Sequence, residues 1–165
     1  MDTYGIMYII IFNLLKGGYF MKKLISVVTI GFLTSVLLAA CGGGKTETFE
    51  NQSDGMNVEM DVTYKDDIVT NIKQVSTVNY EEARLDKDTL KKVMDKQLES
   101  IEEIEALDVD SKYGDDELVQ TIQFDVEDAD TKEIEEVFNI DAEEEKPSFD
   151  KFKEELKDQG FKEKE

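Results

Sequence analysis

The sequence contains no histidine and no tryptophan, and it has only one cysteine and one proline. Without histidine the chain lacks the commonest general base and the commonest transition-metal ligand. No Ser-His-Asp or Cys-His arrangement can therefore be assembled. The two glycine-rich motifs that bind phosphate groups, the P-loop and the dinucleotide-binding motif, are also absent from the sequence. We accordingly expect a protein that is not an enzyme and that carries no cofactor or metal.

Positive charge is also scarce. Lysine and arginine together number 19 against 39 acidic residues, which gives a formal net charge of −20, and Arg84 is the sole arginine. Nucleic-acid binding requires clustered basic residues that neutralise phosphates, so we expect no nucleic-acid partner. The same charge predicts attraction to cationic partners.

The most informative segment that is present lies before the single cysteine. Lys22 and Lys23 precede an apolar run from Leu24 to Leu38, and the small residues Ala39 and Ala40 follow. A cationic start, an apolar core and small residues at the cut are typical of a secretory signal. The order Leu38-Ala39-Ala40-Cys41 is typical of a bacterial lipobox, in which Leu38, Ala39 and Ala40 are recognised by the signal peptidase.

This pattern predicts that Cys41 becomes the first residue of the mature protein and carries lipid on its sulfur. Two fatty chains, such as palmitate, would then hold the protein on the outer side of the cell membrane. The alternative is an uncleaved transmembrane helix, for which the apolar run is shorter than the ~20 residues that a span prefers. A composition rich in Lys and Glu and poor in Arg favours a Gram-positive source.

The chain divides into four predicted segments. Residues 1–20 are expected to be an untranslated or mis-annotated extension, because Lys16-Gly17-Gly18 is what a ribosome-binding site gives when it is read in frame; the alternative is a genuine extension forming a hairpin with the signal. Residues 21–40 are the signal peptide, and residues 41–47 are the lipidated cysteine with a flexible Gly-rich tether. Residues 48–165 form a single domain.

The first half of this domain has the alternation of β-strands. Val58, Met60, Val62 and Tyr64 alternate with polar residues, and Asp66-Asp67 marks a tight turn. The stretch from Ile68 to Tyr80 is β-branched but changes phase, which predicts a bulge. With an earlier strand around Thr46 to Asn51, these segments predict a three-stranded meander.

Helices and a hairpin follow. Asp88 is expected to cap a long helix whose apolar positions recur at three- and four-residue steps from Leu90 to Ile104. A hairpin turns at Gly114-Asp115-Asp116, and two shorter helices follow a capping box at Asp130 and Glu133 and a start at Pro147-Ser148. The predicted fold class is α+β, with an antiparallel sheet of about five strands, one long helix and two shorter C-terminal helices packed on it.

Carboxylates and tyrosines are the remaining candidates for chemistry. Asp108-Val109-Asp110 and Asp125-Val126-Glu127-Asp128 are the densest acidic segments, but neither matches a calcium-binding loop, and a solvated acidic surface is the simpler explanation. Tyr64, Tyr80 and Tyr113 are candidates for lining a sugar or peptide groove, whereas cross-strand packing is the simpler explanation. No catalytic residue and no metal ligand is predicted.

The layout resembles the YehR-like family of small bacterial lipoproteins. The residues that carry the resemblance are the lipobox through Cys41, the segments Val62–Asp67 and Gln123-Phe124-Asp125 with Ala129-Asp130, and the ending Gln159–Lys162. The resemblance implies helices packed on an antiparallel sheet in a surface lipoprotein without an established activity. The acidic run Glu143–Glu145 departs from the family pattern.

Three functions stay open at this point. The first is a non-catalytic module that binds a cationic or extracellular protein, peptide or cell-wall component through its acidic face or a sheet edge. The second is a small accessory or solute-binding lipoprotein of a transporter, which usually needs two lobes around a ligand. The third is a hydrolase with paired carboxylates, which requires a pocket and a raised carboxyl pKa.

Overall fold

The computed structural model describes residues 44–53, 55–99, 104–138, 141–143 and 145–164. Cys41, the predicted recognition residues Leu38, Ala39 and Ala40, and the predicted extension and signal peptide lie outside the described residues. The elements are β1 Lys45–Ser53, β2 Met56–Lys65, β3 Ile68–Asn79, α1 Lys87–Glu99, β4 Leu107–Tyr113, β5 Glu117–Asp125, α2 Thr131–Phe138, α3 Phe149–Asp158 and β6 Lys162–Glu163.

A six-stranded antiparallel sheet dominates the structure, with the strand order β4-β5-β3-β2-β1-β6. The prediction of an α+β fold with five strands and one long helix is therefore wrong. The helices are short, with 13, 8 and 10 residues. The sixth strand consists of two exposed polar residues, Lys162 and Glu163, which have no alternation that a sequence pattern could reveal.

Helix α1 differs from its prediction at both ends. Asp86 caps it by accepting hydrogen bonds from the N–H and the hydroxyl of Thr89, at 2.9 and 2.8 Å, whereas Asp88 lies in its first turn. The described part of the helix runs to Glu99, and Ile104, the last of the predicted apolar positions, is buried but not helical. Val93 is 50% exposed although its spacing placed it on the apolar side, so the buried side of α1 is narrower than predicted.

The strand turns follow the local sequence. Asp66 and Asp67 have φ angles of 50° and 65°, a left-handed pair that fits a two-residue hairpin turn between β2 and β3. The predicted bulge is present, because Thr63 pairs with Asn71 while Tyr64 pairs with Val69. This extra residue on β3 explains why the apolar phase of that strand changes.

One face of the sheet carries the core. Alternate strand residues, including Phe49, Met60, Val62 and Ile72, are at most 1% exposed and pack with the apolar sides of α2 and α3. A smaller cluster forms beneath α1, and its members are Val78, Tyr80, Leu90, Met94 and Leu118. The described helices thus cover one face of the sheet and leave the other face to the solvent.

The C-terminal helix has the ends that the sequence predicts. Ser148 is its N-cap, since its hydroxyl accepts a hydrogen bond from the N–H of Lys151. At the other end Gly160 has a φ of 90°, and the N–H of Phe161 bonds to the carbonyl of Leu156. Phe161 is 3% exposed, so it closes the core before the chain enters β6.

Helix α2 is held by the predicted capping box. The Asp130 carboxylate accepts the N–H of Glu133, and the Glu133 carboxylate accepts the N–H of Asp130, both at 2.9 Å. The second Glu133 oxygen also accepts the N–H groups of Glu105 and Ala106, at 2.5 and 3.3 Å. This buried side chain therefore ties α2 to the segment that leads into β4.

Strand β1 begins at Lys45, whereas the predicted tether runs to Glu47. Thr46 pairs with Thr63 and Glu47 with Val62, so these tether residues are part of the sheet. The first strand then lies directly beside the last one, where Phe49 pairs with Glu163 and the Lys164 N–H donates to the Thr48 carbonyl at 2.8 Å.

Candidate functional site: the open sheet face and the β4 edge

The sheet face opposite the helices is called here the open face. It carries the residues, mostly polar, that alternate with the core residues along each strand. One row of neighbouring residues crosses five strands in register; its members are Thr48, Asp61, Lys73, Gln123 and Asp108. The next row consists of Glu50, Glu59, Val75, Thr121 and Asp110. Because directly opposed residues of antiparallel strands share a face, these side chains form one continuous surface.

The carboxylates on the open face are concentrated toward its two sides, whereas Lys73 lies in its centre on β3. The centre, on β3 and β5, carries the small side chains of Val75, Thr77, Val119 and Thr121. Glu50, Glu59 and Asp61 lie on the β1–β2 side, and Asp108 and Asp110 lie on the β4 side. A band of short side chains thus separates the carboxylates on the β1–β2 side from those on the β4 side.

Some of these carboxylates have partners within the domain. Lys164 pairs with Glu59 at 2.5 Å, and this hydrogen bond raises the pKa of Lys164. Lys112 pairs with Asp110 at 3.1 Å, and both side chains are more than half exposed. Asp61 accepts the Thr48 hydroxyl at 2.6 Å. Carboxylates still outnumber lysines on the open face, so a cation approaching it is attracted.

The edge at β4 has backbone groups available for a further strand. The N–H of Asp125 bonds to the Ala106 carbonyl and the N–H of Gly114 to the Glu117 carbonyl. Such bonds recur at every second residue of an antiparallel ladder. The backbone N–H and C=O groups of residues 108, 110 and 112 therefore point toward β5. The N–H and C=O groups of Val109, Ser111 and Tyr113 therefore point outward, and no described segment pairs with them.

The opposite edge of the sheet is closed at its centre. Strand β6 pairs with Phe49 and Glu50 of β1, and Lys153 of α3 forms ion pairs with both Glu47 and Glu163, at 2.5 and 3.0 Å. The longest open edge among the described strands is consequently β4, and it borders the acidic open face.

The predicted candidate residues are distributed over different places. Asp108 and Asp110 lie on the exposed side of β4, whereas Asp125 accepts the N–H of Glu127 at 3.1 Å in the turn after β5. Among the described residues no group of three or more acidic or cysteine side chains is arranged to hold a metal ion.

The three tyrosines are not brought together. Tyr64 stacks on Phe149, with ring centroids 3.7 Å apart, and donates its hydroxyl to Glu47 at 2.9 Å. Tyr80 and Tyr113 instead lie in the smaller core cluster beneath α1. The idea of one groove lined by all three tyrosines is therefore wrong.

Sequence reasoning predicted an acidic face but did not predict which residues share it. Asp61 and Asp108 are far apart in sequence, and only the strand order aligns them in the same row through Lys73 and Gln123. The available signal was the set of polar residues that alternate with apolar ones along each strand, together with the turn that joins β4 and β5.

Within the described ranges, none of the helices is both long enough and apolar enough to cross a membrane.

Comparisons with known proteins support the fold but assign no activity. The profile of a family described as "Protein of unknown function (DUF1307)" matches residues 45–162. The NMR structure of the E. coli YehR protein is similar with a TM-score of 0.54 and 20% identity, over 73% of this chain and 92% of that one. An NMR structure of a protein from Streptococcus pneumoniae TIGR4 has a TM-score of 0.49 and 18% identity, over 89% and 100% of the two chains. No curated protein matches.

Proposed function

This chain belongs to the DUF1307 family of unknown function, and from that premise we propose that it is a non-catalytic binding module of the cell envelope. Its partner is an extended, cationic segment of an extracellular protein or peptide, which pairs with β4. The observation that carries the proposal is the coincidence of outward backbone groups at Val109, Ser111 and Tyr113 with the carboxylates of Asp108 and Asp110 on the same strand.

Backbone pairing supplies the first part of the recognition. An antiparallel strand beside β4 would exchange N–H···O=C bonds with Val109 and Ser111, as β5 does on the other side. Each such bond contributes a net ~1 kcal/mol, so pairing alone gives weak binding that does not discriminate between sequences. Side chains must provide the selectivity.

The alternation of β4 defines which side chains fit. Asp108 and Asp110 lie on the open face, so residues opposite them are favoured if they are Lys or Arg. Leu107, Val109 and Tyr113 lie on the helix-covered face and are half-buried there, which favours apolar residues at the intervening positions. The preferred partner is an amphipathic strand with one cationic side.

Location is the second part of the proposal. In the lipoprotein interpretation Cys41 carries a diacylglyceryl group and holds the domain at the outer side of the membrane of a Gram-positive cell. Two acyl chains, at about 0.8 kcal/mol per buried methylene, give stable attachment. The short cationic start at Lys22-Lys23 and the lipobox that ends at Cys41 support this location.

The edge is tested by titrating the full chain, purified in detergent, with a fluorescent peptide of alternating Lys and Val, and with a Glu-for-Lys peptide as a control. We expect the Lys peptide to bind and its affinity to fall as salt rises, because exposed charges are screened within about 8 Å at physiological ionic strength. Asp108→Lys with Asp110→Lys should abolish binding. Asp115→Lys with Asp116→Lys makes the same charge change in the exposed hairpin turn and should retain most of it.

Backbone pairing has its own test. Val109→Pro removes an outward N–H and should weaken the binding of the Lys peptide, whereas β5 pairing is kept because Val109 does not bond to it. Thermal unfolding of this variant checks that the domain is folded. Equal binding of the Lys and Glu peptides, or unchanged binding by the Asp108→Lys, Asp110→Lys variant, would overturn the proposed partner.

The membrane anchor is tested separately by the intact mass of protein extracted from membranes, beside a Cys41→Ala variant. The expected mass is that of Cys41–Glu165 with a diacylglyceryl group. An unmodified chain that begins at Met1 or Met21 would contradict the anchor and leave the β4 edge to be judged on binding alone.

A further inference from the structure

Strand β4 is a regular edge strand whose outward backbone groups lie beside charges of both signs. Its register with β5 contains no shift, and the N–H and C=O groups of Val109, Ser111 and Tyr113 point outward. Asp110 and Lys112 alternate with these residues on the open face, and their side chains are 59% and 77% exposed. An open and regular edge of this kind is a template for a strand of another molecule.

A second copy of β4 fits this edge when the two strands run antiparallel about a two-fold axis at Ser111. Ser111 then lies opposite Ser111 of the second copy, and Val109 lies opposite Tyr113 of the second copy. Residue pairs that exchange hydrogen bonds alternate with pairs that do not along an antiparallel ladder. Each outward N–H group of these three residues therefore meets an outward C=O group of the other copy.

The same register places opposite charges next to each other on the open face. Asp110 lies opposite Lys112 of the second copy, and Lys112 lies opposite Asp110 of the second copy. These positions form the non-hydrogen-bonded pairs of the ladder, in which the side chains are closer together. Within one copy Lys112 already pairs with Asp110 at 3.1 Å. The two copies thus bring two lysines and two carboxylates into an alternating cluster, and no existing ion pair has to be broken.

Other registers between the two strands are less favourable. A shift of two residues in one direction brings Asp110 opposite Asp110 of the second copy, and a shift in the other direction brings Lys112 opposite Lys112 of the second copy. Like charges directly opposite each other destabilise a strand pair. A shift of one residue places inward backbone groups of one copy opposite outward groups of the other, so that no ladder forms. Charge and backbone together select the axis at Ser111.

The side chains on the helix-covered face fit the same arrangement. Ser111 on the axis is short, and its hydroxyl accepts a hydrogen bond from the amide nitrogen of Gln120 at 3.1 Å. The proton of this hydroxyl is therefore available to the matching serine of the second copy. Val109 and Tyr113 are half-buried, and in the dimer each covers the other across the interface.

We infer that the domain forms a symmetric dimer with a second copy of this chain through β4, and that the dimer closes this edge to other strands. The interface is self-complementary, as a two-fold axis requires. The two sheets become one continuous sheet with the helices on one side and both open faces on the other. The consequence for regulation rests on the proposed function, because the cationic partner strand and the second copy compete for the same backbone groups of β4.

The dimer is tested by sedimentation equilibrium of the full chain in a density-matched detergent, where we expect a monomer–dimer equilibrium. Asp110→Lys and Lys112→Asp should each weaken the dimer about tenfold or more, since two attractive pairs become two repulsive pairs. Asp110→Lys also lowers the net negative charge, so general repulsion cannot account for a weaker dimer. Glu154→Lys makes the same charge change at an exposed position of α3 and should not weaken the dimer.

Exchange of the two charges tests the register. The double variant Asp110→Lys, Lys112→Asp has opposite charges across the axis again and keeps the net charge, so it should dimerise about as well as wild type. A mixture of the two single variants, one of them carrying a fluorescent label, should form mixed dimers more readily than either forms its own. A wild type that is monomeric at its highest soluble concentration, association that ignores these substitutions, or a double variant that does not recover would each overturn the dimer.

The peptide of alternating Lys and Val separates this inference from the proposed function. Its addition should convert the wild-type dimer into peptide-bound monomer. Peptide binding by a chain that is monomeric at every concentration would retain the proposed function and refute the dimer. A dimer that responds to the charge variants but neither binds the peptide nor dissociates would retain the self-association and refute the proposed partner, together with the competition for β4.

Discussion

Lys153 of α3 donates a hydrogen bond to Glu47 of β1 across 2.5 Å, although the two residues are far apart in the sequence. The ammonium group also pairs with Glu163 of β6, and it lies 5.9 Å from the Phe49 ring centre and 5.7 Å from that of Phe149. One side chain thus joins the first strand, the last strand and the last helix. Its partners are only about a quarter to a half exposed.

Breaking this junction should destabilise the domain. In a double-mutant cycle of Glu47→Gln and Lys153→Met, we expect a coupling of about 1 kcal/mol, the upper end for exposed pairs, because both side chains are partly shielded from water. Urea unfolding measures it. The pair of Lys151 and Glu145 is 2.8 Å apart but far more exposed, and its cycle should show no measurable coupling. Equal coupling in the two cycles would contradict the special role of Lys153.

The same junction predicts a pH dependence. Desolvation raises the pKa of Glu47, but hydrogen bonds from Lys153 and Tyr64 together outweigh it, so the pKa lies below its usual range. A lowered folded-state pKa means that the stabilisation is present above the ordinary value of about 4.3 and is lost as the pH falls through the folded-state pKa. The stability difference between wild type and Glu47→Gln should therefore shrink on acidification.

At the alkaline end the sign is reversed. Hydrogen bonds to Glu47 and Glu163 raise the pKa of Lys153, so its contribution is present below the ordinary value of about 10.4 and is lost as the pH rises through the folded-state pKa. Chemical unfolding of wild type and Lys153→Met across the pH range measures the difference in their free energy of unfolding. It tests the loss of this stabilisation at both the acidic and the alkaline end. A difference that stays constant from a pH below the lowered pKa of Glu47 to a pH above the raised pKa of Lys153 would disprove the linkage.

Glu133 should be among the most sensitive polar positions. Its carboxylate accepts the backbone N–H groups of Glu105, Ala106 and Asp130, and the residue is 9% exposed. Glu133→Ala leaves these donors unpaired and is expected to cost about 2–3 kcal/mol. Glu133→Gln keeps one acceptor oxygen and should cost less. Glu135→Ala on the same helix is the control, and a similar loss there would show that the effect does not come from the hydrogen bonds of Glu133.

The turn at Asp66-Asp67 offers a contrast between neighbours. Both have positive φ angles, which glycine adopts without strain, but Asp67 also accepts the Ser148 hydroxyl and the Asp150 N–H, both at 2.9 Å. Asp66→Gly should leave stability unchanged or raise it slightly. Asp67→Gly should lower it by about 1 kcal/mol, since it removes a cap of α3. Denaturant midpoints distinguish them, and equal midpoints would refute the capping role.

Local sequence signals predicted the parts of the fold that are themselves local. The alternation at Val58, Met60 and Val62, the capping box at Asp130 and Glu133, and the glycine end of the last helix are present as predicted. The resemblance to the YehR-like family is confirmed by the family match together with the structural similarity to the E. coli YehR protein.

The errors arose where long-range packing decides. Strand β6 forms because Phe161 enters the core and carries Lys162 to the side of Glu50, which no local pattern reveals. The described part of helix α1 runs to Glu99, and Ile104, which apolar spacing assigned to the helix, instead lies outside it in the larger core cluster. The burial of Gln120 was not predicted, because this residue occupies a position of the alternation that ordinarily holds an apolar residue.

The pairing of β6 with β1 places both ends of the domain at one side of the sheet, and β4 is five strand spacings away. At about 4.8 Å per spacing, the two edges are roughly 24 Å apart. If Cys41 is the anchor, β1 is the strand nearest the lipid along the chain, and the sheet acts as a spacer that presents β4 away from the attachment point. A fusion partner added after Glu165 would sit on the attachment side and leave the presenting edge clear.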